Sequence, residues 1–259
     1  MKQRLIVISG ASSVPALSGA VVRHLAGDMT QVDAVEMATS ASNRAAAGPA
    51  VAASILSQVG QPMPMWQGKR WIRRFGWQGH RKLGFQVAGH RTIGGRLVGL
   101  VDVPDLALLP DRLPGRPAIV FRAGTELGFH NLGLWLASWL VRSGVADNLT
   151  GLAGWLRPLQ RLTAAAGTDR SAMVVRAFSR IETDRIERQW TLSHYGPCLI
   201  SHPKGVATNG TRSSTTEGRA SNEEQFCGAS RSRRVALRGR RHGRHRPDQR
   251  LQVQSRRVG

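Results

Sequence analysis

Four polar residues of this 259-residue chain stand where a side chain could bind a ligand or move a proton. Asn43 and Arg44 lie in a loop that follows a predicted strand, a usual position for ligand contacts. Arg44 could clamp a substrate carboxylate with two parallel hydrogen bonds, or form a surface salt bridge. Arg122 and Glu126 bracket Gly124 at a predicted strand-to-helix junction. They could face a cleft as an anion-binding and acid–base pair, or Glu126 could simply complement the dipole of the helix.

His130 adds a further candidate for acid–base chemistry. It follows Glu126 by four residues, which places both on the same face of a helix. Such a pair could relay protons, whereas a histidine in an apolar helix is commonly a hydrogen-bonded core residue. No Ser-His-Asp arrangement and no His, Asp or Glu cluster with metal spacing stands out. Glu126 and His130 are therefore the catalytic candidates, and no metal site is predicted.

The opening stretch LIVISGASSVPALSGAVVRHL, residues 5–25, resembles the strand, loop and helix of a dinucleotide site. The glycine fingerprint G-x-G-x-x-G fails, because Gly10 is followed by no glycine before Gly19. Pro15 also lacks an N–H that could bind a phosphate. Ser12 and Ser13 could instead hydrogen-bond a substrate at the mouth of the domain, or cap the following helix. We expect no dinucleotide to bind this loop.

The elements that must position these residues mix strands and long helices. Apolar spacing predicts a helix from about Pro15 to Ala26 and another over 49–60. Tryptophans and phenylalanines alternate with Gly, Lys and Arg over 63–102, as in short antiparallel strands. Further strands are predicted at 4–8, 32–40, 98–106, 117–124, 172–180 and 185–193. The pattern favours an α+β fold: a mixed, largely antiparallel sheet with helices packed on one face.

The longest apolar run, residues 127–141, has 15 residues, whereas a membrane span needs about 20. We therefore expect a buried helix and no membrane span. Two helical stripes follow one another, one through Trp135 and Trp139 and one through Trp155. These tryptophans are expected to be core or dimer contacts, and a homodimer is the expected assembly.

Charge and composition divide the chain near residue 193. Residues 1–193 carry 23 Lys and Arg against 12 Asp and Glu, whereas residues 194–259 carry 14 against 4. The second part has no sustained apolar period and is predicted to be a disordered basic tail. Its arginines at 231–257 could bind phosphate backbones without sequence preference. Cys198 and Cys227 have neither the spacing of a metal site nor that of a redox pair. The four apolar residues near the N-terminus are too few for a secretory signal peptide, which favours a cytoplasmic protein.

Several motifs occur in a characteristic order between residues 5 and 192. They are G-A-S-S-x-P-A-L-S, S-x-x-N-R-A-x-x-G, W-x-G-x-x-W, V-D-V-P-D-L, F-R-A-G-x-E-L and L-W-L-x-S-W-L-V-R. In this order they resemble the saccharopine dehydrogenase-like oxidoreductases. The resemblance implies that residues 1–193 correspond to the substrate-side, dimerising α+β domain, which in that family follows an NAD(P)-binding Rossmann domain.

The chain departs from the family in ways that affect the functional expectation. The glycine fingerprint of the nucleotide domain is missing, and the family's Asn-Arg-Ala-Pro-Arg-Gly is Asn-Arg-Ala-Ala-Ala-Gly at 43–48. The resemblance stops at Leu192, and the arginine-rich texture beyond it is typical of a truncated or frameshifted product. We expect a partial NAD(P)-dependent oxidoreductase that is inactive alone and binds no cofactor by itself. The alternatives are a non-enzymatic dimerisation module and a basic-tailed nucleic-acid-binding protein.

Overall fold

The computed structural model describes residues 13–44, 48–87, 91–181, 184–195 and 253–258. A π-helical turn, Ser13–Leu17, leads into the first helix. The helices are α1 Ser18–Ala26, α2 Pro49–Gln58, α3 Asp105–Leu108, α4 Gly128–Arg142 and α5 Ala153–Thr163. The strands are β1 Ala34–Ala41, β2 Pro62–Gln67, β3 Arg70–Phe75, β4 Arg81–Phe85, β5 Ile93–Leu100, β6 Ala118–Thr125, β7 Arg170–Ile181, β8 Asp184–Tyr195 and β9 Val253–Val258.

The main sheet has seven strands in the order β4-β5-β6-β1-β7-β8-β9, and β2 and β3 form a separate hairpin. Strands β1 and β6 are parallel. The other described neighbours in the main sheet are antiparallel. The predicted fold class, α+β with a mixed and largely antiparallel sheet, is therefore confirmed. The parallel pair matters for the site, because it brings the carboxyl ends of β1 and β6 to the same edge.

One face of the sheet carries the largest core. Val21, Val22 and Leu25 of α1 are buried against alternate residues of the central strands, such as Val35 and Met37. Spacings of three and four residues on the helix and of two on the strand place these side chains on facing surfaces. The predicted helix ending at Ala26 and the predicted strand over 32–40 are thus confirmed, and their periods explain why they pack together.

The opposite face is covered at one end by the hairpin of β4 and β5. Phe85 and Ile93 of that hairpin are 2% and 3% exposed and pack against Ala38, Ala172 and Val174. Because this contact draws β4 and β5 over the rest of the sheet, the sheet is curled rather than flat. Polar residues occupy much of the rest of this face, among them the ion pair between Arg81 and Glu36.

The buried-helix prediction for residues 127–141 is wrong for the described residues. Helix α4 buries Asn131, Ser138 and Val141, and turns large apolar side chains outward. The inner side must be small because Gly60 approaches it: a Cβ on Gly60 would lie 2.5 Å from the carbonyl oxygen of Ser138. Asn131 accepts a hydrogen bond from Thr125 N at 3.0 Å, and so closes the turn before the helix.

Helix α5 also presents apolar side chains to solvent. We call the outward apolar side chains of α4, α5 and the turn before α5 the α4–α5 apolar surface. Its members are 46% to 82% exposed and are Phe129, Leu132, Leu136, Trp139, Leu140, Leu152, Trp155, Leu159 and Leu162. No helix among the described residues is long and apolar enough to cross a membrane.

Strand β9 lies within the segment that the sequence predicts to be a disordered tail. Its six residues, Val253–Val258, pair antiparallel with β8, so the structure differs from the expectation at this point. A strand of this length gains its stability from a neighbouring edge, which no local periodicity reveals. Three other parts of the sequence prediction lie outside the described residues. They are most of the arginines proposed to bind nucleic acid, both cysteines, and the predicted strand at 4–8.

Candidate functional site

Glu126 is the centre of a polar network at the edge where β1 and β6 end. It lies in the bend between β6 and α4, with its side chain 9% exposed. Its Oε2 accepts hydrogen bonds from the backbone N–H of Asn43 at 3.1 Å and of Thr168 at 2.7 Å. Its Oε1 accepts from Thr168 Oγ1 at 2.6 Å and from Arg96 Nη2 at 2.9 Å. One carboxylate thus joins three distant parts of the chain.

These partners decide the protonation state of Glu126. Burial alone would raise the pKa of its carboxyl group, because it disfavours the charged form. The hydrogen bonds from Thr168 and Asn43, together with the charge of Arg96, outweigh burial and hold the pKa below its ordinary value. The carboxylate is therefore ionised and its oxygens are occupied. In this state it organises the loops around it and is a poor proton acceptor.

Asn43 extends the network to α4 and α5. It is 2% exposed, and its Nδ2 donates to Thr163 O at 2.7 Å. The Oγ1 of Thr163 lies 3.2 Å from Nε2 of His130. Burial lowers the pKa of His130, which favours its neutral form. Thr163 therefore links His130 to Asn43, and the helices α4 and α5 are tied together at this end.

Glu126 and His130 do not form the pair that their spacing suggested. Helix α4 begins at Gly128, so Glu126 precedes it and points into the loop network. No hydrogen bond within the described part of the chain joins Glu126 to His130. The described hydrogen bonds between them run through Asn43 and Thr163. The amide groups of Asn43 do not ionise near neutral pH, so they cannot pass a proton along this path. The geometry offers hydrogen-bonded support for a loop and no Glu–His proton relay.

Arg44 occupies the more exposed side of the same loop. Its Nη1 lies 3.4 Å from Oδ2 of Asp169, and both side chains are 49% exposed. Beneath it, Ser42 Oγ donates to Thr168 O at 2.7 Å and accepts from Arg44 N at 3.1 Å. The surface salt bridge that the sequence left as an alternative is thus formed. It leaves Arg44 close to solvent, where a ligand carboxylate would have to compete with Asp169.

We expect Gly167→Ala to disrupt this network. Gly167 has φ −102° and ψ 172°, so an alanine fits the backbone. Its Cβ, however, would lie 2.4 Å from Cβ of Asn43, which must then move away from Thr163. We expect a loss of about 1–3 kcal/mol in the free energy of unfolding, measured by urea denaturation. The matched control is Gly154→Ala in α5, where nothing lies within 4 Å and stability should be unchanged or slightly higher. Equal losses in both variants would contradict the steric argument.

Arg122 lies elsewhere, in a cleft of about 510 Å³ between the β2–β3 hairpin, the main sheet and the end of α4. Burial lowers the pKa of the Arg122 guanidinium. The negative charge of Glu36 partly offsets this lowering, and the positive charge of Arg81 adds to it. The guanidinium nevertheless remains charged at any physiological pH. Its Nε donates to Gly79 O at 3.5 Å. No ion pair or hydrogen bond among the described residues joins Arg122 to Glu126, so these two predicted partners belong to different sites.

The remaining predicted site residues divide between described and undescribed parts of the chain. Ser12 lies outside the described residues. Ser13 begins the π-helical turn, and α1 starts only at Ser18 without a capping side chain, so the helix-capping alternative does not hold for Ser13. Arg96, Thr163 and Thr168 were not predicted as site residues, because spacing offers no signal for them. The arginines that share the cleft with Arg122 were not predicted either, although the adjacent pair at 73–74 is visible in the sequence.

The fold and the site together define an α+β domain with a hydrogen-bonded polar network around Glu126 at one sheet edge and a basic cleft at another position. Among the described residues, no group of three or more His, Cys, Asp or Glu side chains is placed to hold a metal ion. A scan against models of protein families and a search of curated proteins found no match to this chain.

Proposed function

We propose that this chain supplies the substrate-side and dimerising domain of an NAD(P)-dependent oxidoreductase similar to the saccharopine dehydrogenase-like enzymes, acting in the cytoplasm. The ordered series of motifs supports the family, and the α+β architecture is the one that the resemblance implies. The bound NAD(P) would supply or accept the hydride. The contribution of this chain would be to hold the substrate and to assemble with another polypeptide surface.

The observation that carries the proposal is the α4–α5 apolar surface. A protein that acts as a separate monomer rarely exposes a large contiguous apolar patch. Here Leu136, Trp155 and Leu162 are 56%, 73% and 82% exposed on two helices that are tied together through His130 and Thr163. Such side chains are expected to be covered in the working assembly. The surface therefore favours a domain that functions against a partner.

The described residues do not fit a dinucleotide at the start of α1, where the opening loop would place its phosphates. A phosphate needs free N–H groups and positive charge at that position. Instead, the buried carboxyl group of Asp105 accepts a hydrogen bond from Ser18 Oγ in the first turn of α1. Neither Ser18 nor Asp105 offers a positive charge to a phosphate at this position. We therefore derive no step of hydride transfer through this part of the chain.

We expect the purified chain to show no saturable binding of NADH or NADPH. The measurement is a fluorescence titration of each reduced dinucleotide, repeated by calorimetry, with a Rossmann dehydrogenase as positive control. Saturable binding with a stoichiometry near one would overturn the proposal. A Rossmann-type partner chain that restores dinucleotide binding and turnover would support it.

A non-enzymatic dimerisation module is the second candidate. It is favoured by the saturated carboxylate of Glu126, because a residue with occupied oxygens and a lowered pKa is poorly suited to acid–base catalysis. The two candidates differ in one result. A module of this kind would self-associate, but would show neither dinucleotide binding nor turnover with any Rossmann-type partner.

A further inference from the structure

The cleft around Arg122 has the chemistry of a binding site that the network around Glu126 does not use. Four arginines line it, at positions 73, 74, 122 and 142, and no carboxylate is among the described residues that line it. The charge of Glu36 acts on Arg122, but Glu36 is already paired with Arg81 at 3.1 Å. A concentration of uncompensated positive charge within a concave surface attracts and retains anions.

The four arginines differ in whether neighbouring residues hold their guanidinium groups in place. Arg142 donates to Gln78 Oε1 at 3.1 Å, and its guanidinium lies 4.5 Å from the ring centre of Phe75. Arg122 is held at Nε by Gly79 O, and its two terminal nitrogens make no hydrogen bond within the described part of the chain. Arg73 and Arg74 are exposed on β3 and likewise form no described ion pair. The cleft thus combines two positioned guanidinium groups with two adaptable ones.

Four of the other lining residues are apolar. Met65, Phe75, Leu100 and Val120 contribute to the walls. Arg142 also stacks against Trp139, with its guanidinium 4.9 Å from the ring centre, so the cleft opens next to the α4–α5 apolar surface. Small-molecule sites typically have this composition, with apolar walls and a few polar groups that fix the ligand's orientation.

The geometry points to a binding site for a small anionic ligand that has an apolar body. Its carboxylate or phosphate group would pair with the terminal nitrogens of Arg122 and with Arg74, while the apolar part packs against Phe75 and Leu100. Arginine forms two parallel hydrogen bonds with either type of anion, so both share this chemistry. This inference goes beyond the proposed function and holds whether or not the chain takes part in hydride transfer.

Calorimetric titration with eight-carbon probes, at concentrations below micelle formation, tests the site. Octanoate and octyl phosphate represent the two anionic head groups, and octanol and octylammonium share the apolar body without negative charge. We expect saturable binding of at least one anion and none of octanol or octylammonium. The better anion shows whether a carboxylate or a phosphate is preferred. Octanol binding as tightly as either anion would overturn the inference, as would the absence of binding by both anions.

Variants assign the binding to the cleft. Arg122→Gln is expected to weaken binding of the preferred anion by about tenfold or more, because a charge-assisted hydrogen-bond pair is lost. Arg74→Gln lies at an exposed position, where we expect little effect on folding. It should also weaken binding, and it decides the question if Arg122→Gln is unstable. The matched control is Arg112→Gln, an exposed arginine outside the cleft, which should leave affinity unchanged. An equal loss of affinity in the control would mean that the probe responds to the general charge of the surface. A loss of affinity caused only by Leu136→Lys would place the probe on the α4–α5 apolar surface. Either result would overturn the inference.

Discussion

Glu126→Ala is expected to lower the free energy of unfolding by about 3–5 kcal/mol. The variant removes the acceptor for two backbone N–H groups and for Thr168 Oγ1. It also leaves the guanidinium of Arg96, whose side chain is 8% exposed, without its carboxylate. A buried charge without a counter-ion is among the most destabilising changes that one substitution can make. Urea denaturation, followed by far-ultraviolet circular dichroism, measures the loss.

Two further variants separate the charge from the shape. Glu126→Gln keeps the size of the side chain but offers an amide group to donors, so it should cost less than alanine and still be clearly destabilising. In the double variant Glu126→Leu with Arg96→Met, neither partner is charged. We expect it to recover a large part of the loss, because no buried charge remains unpaired. A loss below about 1 kcal/mol for Glu126→Ala would contradict the role we assign to the network.

The same carboxylate predicts a pH dependence with a definite sign. The folded protein holds the pKa of Glu126 below its ordinary value of 4.5, so the unfolded chain binds the proton more readily. The stabilisation from Glu126 is therefore complete above about pH 4.5 and is lost as the pH falls through the folded pKa. The unfolding free energy of the wild type should decrease over this acidic range. In Glu126→Gln the decrease should be smaller, and an identical pH profile would contradict the assignment.

Local elements of the fold follow directly from the sequence. The spacing of Val21, Val22 and Leu25 predicts the buried side of α1, and the segment 32–40, which contains most of β1, is predicted to be a strand. Both elements are present with nearly the predicted bounds. The parallel pairing of β1 with β6 could not be predicted in this way, because the two strands are more than 70 residues apart in the sequence. The residue pattern of either strand does not say which other strand it pairs with. Strand order is decided by the whole core and not by the period of any strand.

The candidate site shows the same division. Glu126, Asn43 and Arg122 could be selected from their residue types and from their positions at the ends of elements or within strands. Their partners could not, because Arg96 and Thr168 approach Glu126 only through the pairing of β5 with β6 and of β7 with β1. Spacing also placed Glu126 and His130 on one helical face, which fails because α4 begins two residues after Glu126. Helix boundaries are among the least reliable features of a sequence-based prediction.

The apolar stripe of α4 was identified correctly, but its direction was not. Hydrophobic periodicity shows which residues share a face, and it does not show whether that face meets the core or another molecule. The direction is determined here by Asn131, Ser138 and the close approach of Gly60, which require the small and polar side of the helix to face inward. This inverted arrangement leaves Leu136 and Trp139 outside.

We expect the chain to be a dimer at micromolar concentration and expect Leu136→Lys or Trp155→Lys to dissociate it. Each substitution places a charge within the α4–α5 apolar surface, and in a two-fold symmetric interface it does so twice. Central aromatic and aliphatic side chains of interfaces commonly contribute about 2–4 kcal/mol. The dissociation constant should therefore rise by about 30-fold to 1,000-fold, as measured by sedimentation velocity over a concentration series.

Leu108→Lys is the matched control for this prediction, because Leu108 is a 42% exposed leucine on α3, outside the α4–α5 apolar surface. It should leave the dimer intact. The unfolding free energy of Leu136→Lys should also change little at concentrations where the wild type is monomeric, since Leu136 is already 56% exposed in the single chain. A wild-type monomer at 100 times these concentrations would exclude a second copy as the occupant. The apolar surface would then require a different polypeptide, which is the arrangement that a separate Rossmann partner would provide.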